Sequence, residues 1–247
     1  MRDVLVTGST GIGGAVAAAL GERALTVGRN GAVRADLSLL SETARAADEV
    51  GSGRLAAIVC CAGIFTLRAE HTEEGLERAF VLNYLSRYLL VRRLLPRLVP
   101  GGRVVLVANA GRYGDTLGPM DDLNLRRGGR GLRIAGRTQH ACDLFALELA
   151  RREPGLAVSC VDPGLVATRV FRDAPGVPAT LRFLLNAVQQ RFGADPARAA
   201  RTPVGLAVNG HEPGFYGPGG ARLKPPEAER RRELWAASED LVREFLP

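Results

Sequence analysis

The stretch VTGSTGIGG, residues 6–14, leaves an apolar N-terminal run and enters a helix pattern of small residues. Glycines at a strand-to-helix turn let the backbone approach a pyrophosphate, and the free amides at the helix start attract phosphate charge. Gly8 is placed for the tight turn, Gly11 for the close approach, and Gly14 or Gly13 for packing of helix on strand, with Ser9, Thr10 and Ile12 between them. In VGRN, at the end of the second apolar run, Arg29 stands where a ribose 2′-phosphate would lie, whereas an acidic residue there would favour the free hydroxyl. The chemistry implied is dinucleotide binding, NADP(H) in preference to NAD(H). Asp36, followed by Leu37, either meets the adenine amino group or caps a helix starting near residue 38.

A second set of polar residues is less conventional. Asn109 ends the apolar run RVVLVAN, and Tyr113 follows it as either an acid or a packing residue. AGRTQH, residues 135–140, lies near the start of a long helix pattern in which Gln139 and Asp143 share a face at i,i+4 spacing. His140 is turned about a quarter revolution from Gln139 and is expected against a neighbour or solvent. Asn109 and Gln139 can donate hydrogen bonds to an oxygen, but neither titrates. They would stabilise an oxyanion without protonating it.

The elements that must position these groups are legible as alternating patterns. Continuously apolar runs at 3–7, 24–28, 55–60, 103–109 and 156–161 read as buried strands, with a further short strand closing at Asp36. Helix-period segments fall at 11–20, 38–49, 73–99 and 132–152. This alternation predicts a single α/β domain over 1–247, a Rossmann-like doubly wound parallel sheet with helices on both faces. Asp195 and Pro196 open a later helix as N-cap and first helical residue. Residues 169–200 are expected to form a lid on the substrate side, and 225–247 a C-terminal helix.

In this order the motifs resemble those of the short-chain dehydrogenase/reductase family. CCAG, with Cys61, Ala62 and Gly63, is similar to that family's Asn-Asn-Ala-Gly turn with both asparagines replaced. VLNYLSRYLL carries Asn83 at the family's helix asparagine, and VDPGLVATRV, with Pro163, Gly164, Val166 and Thr168, is similar to the segment covering the nicotinamide carboxamide. DDLNLRRGGRG, LFALELARR and ELWAASEDLV look most like the retinol-dehydrogenase-like branch. The glycine turn is one residue tighter than in ordinary single-domain members.

The resemblance implies a serine, a tyrosine and, four residues after the tyrosine, a lysine that lowers the phenol's pKa. Aligned on RVVLVANAG and LFALELARR, those positions hold Asn109, Ala135 and Gln139. The one lysine, Lys224, is remote in sequence, so no register restores a Tyr-x-x-x-Lys pair. The expected catalytic set is therefore Asn109, Tyr113, Asn83 and Gln139. Cys61 lies within reach of a nicotinamide by analogy, or is a buried small hydrophobe.

Three functions remain open. One is an enzyme of altered chemistry (cyclisation, dehydration, isomerisation or atypical hydride transfer) on an apolar small molecule, in specialised biosynthesis. Another is an NADP(H)-dependent oxidoreductase that takes its proton from Tyr113 or water. The last is an inactive nucleotide-binding or partner subunit. The formal charge of +7 comes from arginines scattered along helix faces, which argues against nucleic acid. No apolar run reaches the ~20 residues of a membrane span, and the four cysteines show no metal spacing, so no metal and a cytoplasmic location are expected; the family resemblance implies a homo-oligomer, dimer or tetramer.

Overall fold

The computed structural model describes residues 2–112, 114, 116–171, 174, 176–208 and 210–247. Among these, β1 (Val4–Thr7), β2 (Ala24–Val27), β3 (Leu55–Cys60), β4 (Leu98–Val107), β5 (Ala157–Val161), β6 (Phe215–Tyr216) and β7 (Arg222–Leu223) form one sheet. Its order is β2-β1-β3-β4-β5-β6-β7, parallel except for β7. The chain leaves β1 for β2 on one side and returns to β3 on the other. That reversal opens a crevice at the carboxyl end of β1, where the glycine turn lies.

Alternate strand residues feed two cores. Val4, Val6, Val59, Val105 and Val161 point to the face covered by α1 (Gly11–Leu20) and α7 (Pro196–Val208). Leu5, Ile58, Val104 and Leu106 point to the other, larger core. There they meet α2 (Leu40–Glu49), the helical run formed by α3 (Arg78–Phe80), a π-helical turn (Val81–Leu85) and α4 (Ser86–Leu94), and α5 (Leu132–Arg152). Burial on both faces is why these strands read as unbroken apolar runs.

Three boundaries differ from the sequence expectation. The segment expected as one helix over 73–99 becomes helical only at Arg78, after Glu77 caps it, and β4 already begins at Leu98. Glu77 is fully buried and accepts the amides of Ala79 and Phe80. The short strand expected before Asp36 is reduced to one bridge, Val27 to Val33. The C-terminal helix, α8, spans Arg231–Val242 rather than starting at 225, because Pro226 disfavours helical backbone at Pro225 and the chain then turns, with the Arg231 amide on the Ala228 carbonyl, before α8 begins.

Helix α8 closes the larger core. Trp235 meets the Tyr88 ring at 5.0 Å between centroids, Arg152 stacks on Trp235 at 4.4 Å, and the Tyr84 and Ser238 hydroxyls are 2.7 Å apart. Glu148, buried on α5, pairs with Arg151 and Arg152 at 2.8 Å and with Arg231 at 3.2 Å. The Arg151 and Arg152 guanidiniums hold its carboxyl down at about 2 against the opposing effect of burial. By contrast α6 (Ala179–Phe192), within the expected lid, leaves Phe183 77% and Phe192 71% exposed. No helix among the described residues is long and apolar enough to cross a membrane.

Candidate functional site

The glycine turn is built by backbone geometry. Gly8 has φ +87° and Gly11 φ +55°, conformations that a side chain disfavours. A Cβ on Gly13 would lie 2.4 Å from the Gly8 carbonyl oxygen, so Gly13 permits helix and turn to meet. Gly14 is also close, at 2.9 Å from the Ser9 oxygen. Thr10 precedes α1 in an extended conformation and gives it no side-chain cap. The first amides of α1 are thus left for an incoming anion.

A cavity of about 150 Å³ follows this turn, with Ser9 and Thr10 at one end and Arg29, Asn30 and Arg78 among its lining residues. Asp36 and Leu37 also line it. Asp36 accepts the Ser38 amide at 2.9 Å and the Ser38 hydroxyl at 2.7 Å. Burial acts to raise its pKa, but those bonds and the charges of Arg78 and Arg29 leave it below the usual carboxylate value. The cap of α2 comes from elsewhere: Glu74 accepts the amides of Leu40 at 2.6 Å and Ser41 at 2.9 Å. Arg78 is the cation that sequence reasoning missed. It lies far from Arg29 in the chain, and only its position at the start of α3, after the buried Glu77, brings it here.

The CCAG turn is held from both sides. Thr7 Oγ1 accepts the amides of Cys61 at 3.0 Å and Ala62 at 3.1 Å. Asn83 accepts the Ile64 amide at 2.8 Å and donates to the Ile64 carbonyl at 2.9 Å and to Thr138 Oγ1 at 3.2 Å. Its own carbonyl receives the Cys142 thiol at 3.1 Å. The Asn83 amide is therefore committed to joining the turn, the π-helical segment and α5. Arg87, 3% exposed, donates to the carbonyls of Ala62 and Val107 at 2.8 Å each. This buried cation ties the ends of β3 and β4 together, and its only sequence signal is an arginine inside an apolar helix face. Cys61 is partly buried, and burial pushes its thiol up to about 12, so it behaves as a small hydrophobe.

Beyond β4 the chain turns sharply through Ala110 (φ +42°) and Gly111 (φ +85°). Asp143 fixes this turn to α5 by accepting the Gly111 amide at 2.7 Å, and it receives the Cys160 thiol of β5 at 3.1 Å. Burial pushes its carboxyl up to about 6, against those two bonds. Asn109 and Gln139, both partly buried, lie on the two segments so joined. The Gln139 Oε1 is buried without a hydrogen-bond partner among the described residues. His140 is buried, which removes solvent as its environment. Tyr113 lies outside the described residues.

The segment after β5 returns to the glycine turn. The Gly164 amide donates to Asp162 at 2.7 Å, and the Thr168 methyl would lie 3.1 Å from a Cβ on Gly11. Thr168 is fastened to α6, accepting from Gln189 at its hydroxyl, 3.1 Å, and from Gln190 at its carbonyl, 2.7 Å. Val166 bridges to Ala194. Pro163, Gly164, Val166 and Thr168 thus link the nucleotide side to the exposed apolar helix.

No family model matches the chain. It is 32% identical to human (Homo sapiens) retinol dehydrogenase 14, an alignment covering 76% of this chain and 59% of that protein. It is 30% identical to the putative daunorubicin C-13 ketoreductase DnrU of Streptomyces sp. (strain C5), covering 96% of this chain and 91% of that one. A solved structure from Mycobacterium Paratuberculosis, a putative uncharacterized protein, superposes with a TM-score of 0.69 at 25% identity over 100% of this chain and 95% of that one. The chain spans about 59% of the length of that retinol dehydrogenase; with the sheet order, the glycine turn and the similarity to both relatives in agreement, it belongs to the short-chain dehydrogenase/reductase family, in its retinol-dehydrogenase-like branch.

Proposed function

We propose that the chain binds NADP(H) in the cradle after β1 and acts as an oxidoreductase on an apolar ketone or alcohol, handling the substrate oxygen with amides in place of a phenol–ammonium couple. The observation that carries this reading is the uncapped, Gly13-closed turn leading to Arg29 and Arg78. Two guanidiniums at that end suit a 2′-phosphate better than a bare hydroxyl. A bound nicotinamide would supply the hydride, or accept it in the reverse direction.

The chain's own residues then do the rest. Ser9, Thr10, Gly11, Ile12 and Gly13 receive the pyrophosphate with backbone amides, while Cys61, Ala62 and Gly63 border the ring, positioned by Thr7, Asn83 and Arg87. Asn109 and Gln139 donate hydrogen bonds to the substrate oxygen. The proton comes from Tyr113 or from water. Pro163, Gly164, Val166 and Thr168 hold the carboxamide side and carry the lid, 169–200, whose apolar α6 suits a bulky apolar substrate. The Streptomyces relative, named as a ketoreductase, supports a ketone. A homo-oligomer would use a surface other than the aromatic face of α4 and α5, which α8 covers.

A second reading, non-redox chemistry such as cyclisation, dehydration or isomerisation, is favoured by one observation: the aligned positions Asn109, Ala135 and Gln139 contain no titrating group. Orientation alone would drive such a step. Incubation with C4-deuterated NADPH and a panel of apolar ketones separates the two. Deuterium on the product's carbinol carbon is expected. Product formed without label and without NADPH consumption would overturn hydride transfer in favour of the second reading.

A further inference from the structure

A larger cavity, of about 550 Å³, lies between the loop 116–130 and the first turns of α5. Its size falls in the roughly 300–1,000 Å³ range of small-molecule pockets. Ile134 and Arg137 line it, and they project about 150° around the helix from Ala135 and Gln139, so it is separate from the site described above.

The walls are apolar at Leu117, Leu125 and Ile134, and the charge is one-sided: Arg127, Arg130, Arg133 and Arg137 line the cavity against a single carboxylate, Asp122. Arg127 is paired with Asp121 at 2.8 Å. Arg130 and Arg133 have no carboxylate partner among the described residues. Arg137 is 3% exposed, lies 4.6 Å over the Phe80 ring, and gives its Nη atoms to the carbonyls of Asp122 and Leu123. Its Nε is buried with no hydrogen-bond partner among the described residues. Burial pushes Arg137 down to about 10, and Glu77, which opposes that shift, has both oxygens occupied by α3 amides. An apolar chamber rimmed by two exposed arginines that have no carboxylate partner among the described residues, with the buried Arg137 guanidinium in its wall, presents one sign of charge to whatever enters it, which suits an acceptor that carries negative charge.

We propose that this cavity is a second binding site, for a small organic oxyanion with an apolar ring body, its head group held by Arg130 and Arg133 and its rings against Leu125 and Ile134. The site is independent of the nucleotide reading. Calorimetric titration with 2-naphthoate and 2-naphthyl phosphate distinguishes a carboxylate from a phosphate head group, with neutral 2-naphthamide as the reference. Saturable binding of at least one anion is expected, weakened about tenfold or more by Arg130→Ala with Arg133→Ala, while Arg29→Ala leaves it unchanged. Both arginines are exposed, so these variants report on binding and not on folding. The proposal is overturned by absence of binding, by equal affinity for 2-naphthamide, by retention in the double variant, or by loss in Arg29→Ala, which would place the ligand in the nucleotide cradle.

Discussion

On the β1 side of the crevice, recognition is written in the backbone: positive φ at Gly8 and Gly11, a clash-limited Gly13, and amides left uncapped by Thr10. On the α5 side, the framework is equally ordered, yet the positions we propose to handle the substrate oxygen act through side chains, and the alignment on RVVLVANAG and LFALELARR puts Asn109, Ala135 and Gln139 there. Asn83 and Asp143 keep the turn, π-helical segment and helix joined whatever stands at 135 or 139. The contrast shows why the two sides can diverge independently. Altering the glycine turn disturbs the fold, whereas exchanging a proton donor costs the fold little.

The sharpest attack on that contrast is to install a phenol–ammonium couple at the aligned positions. Ala135→Tyr combined with Gln139→Lys is expected to raise ketone reduction by about 100-fold or more, the scale of positioned general-acid catalysis, while either change alone gives little. An unchanged rate in the double variant would show that the α5 side performs chemistry needing no such acid.

The next effect is on stability. Asp143 has its folded-state pKa raised from 3.8 to about 6, so the folded protein binds this proton more tightly than the unfolded chain does. Its contribution is therefore greatest below pH 4 and declines as pH rises towards 6, on the order of 3 kcal/mol in all. Urea denaturation of the native protein and of Asp143→Asn at pH 4 and pH 7 should show the difference moving in the variant's favour by that amount. A pH-independent difference would mean Asp143 is not strained by burial.

Smaller changes belong to the nucleotide side. Arg29→Ala and Arg78→Ala are each expected to weaken NADPH binding about tenfold and to leave NADH binding nearly unaltered, as judged by fluorescence titration. Equal losses for both cofactors would assign the two arginines to a role other than the 2′-phosphate.

Much of the fold could be read from the chain because buried parallel strands are continuously apolar and Asp195 with Pro196 marks a helix start; the Ala197 amide does donate to Asp195, at 2.7 Å. The misread boundaries share a cause. In LLVRRLLPRLVP apolar residues continue on both sides of Pro96, but α4 ends at Leu94, a single 3-10 turn covers Leu95–Arg97, and the strand that begins at Leu98 pairs with Leu55, a partner remote in sequence. Asp36 likewise suggested a helix cap, but the cap of α2 is Glu74, delivered by tertiary structure. Arg78 and Arg87 were invisible as site residues for the same reason. In a chain rich in arginine, residue type alone cannot single out the two that the fold carries to the crevice.

The clasp formed by α8 constrains when this protein can mature. Tyr84, Tyr88 and Phe145 are buried against one another and against Trp235, and Glu148 needs Arg231 to complete its ring of cations. Until residues 231–242 have left the ribosome, a nascent chain with every strand from β1 to β7 already made still presents this aromatic face to water. This face is thus completed last in chain order, and a chaperone that binds exposed aromatic surface has its opportunity in that interval.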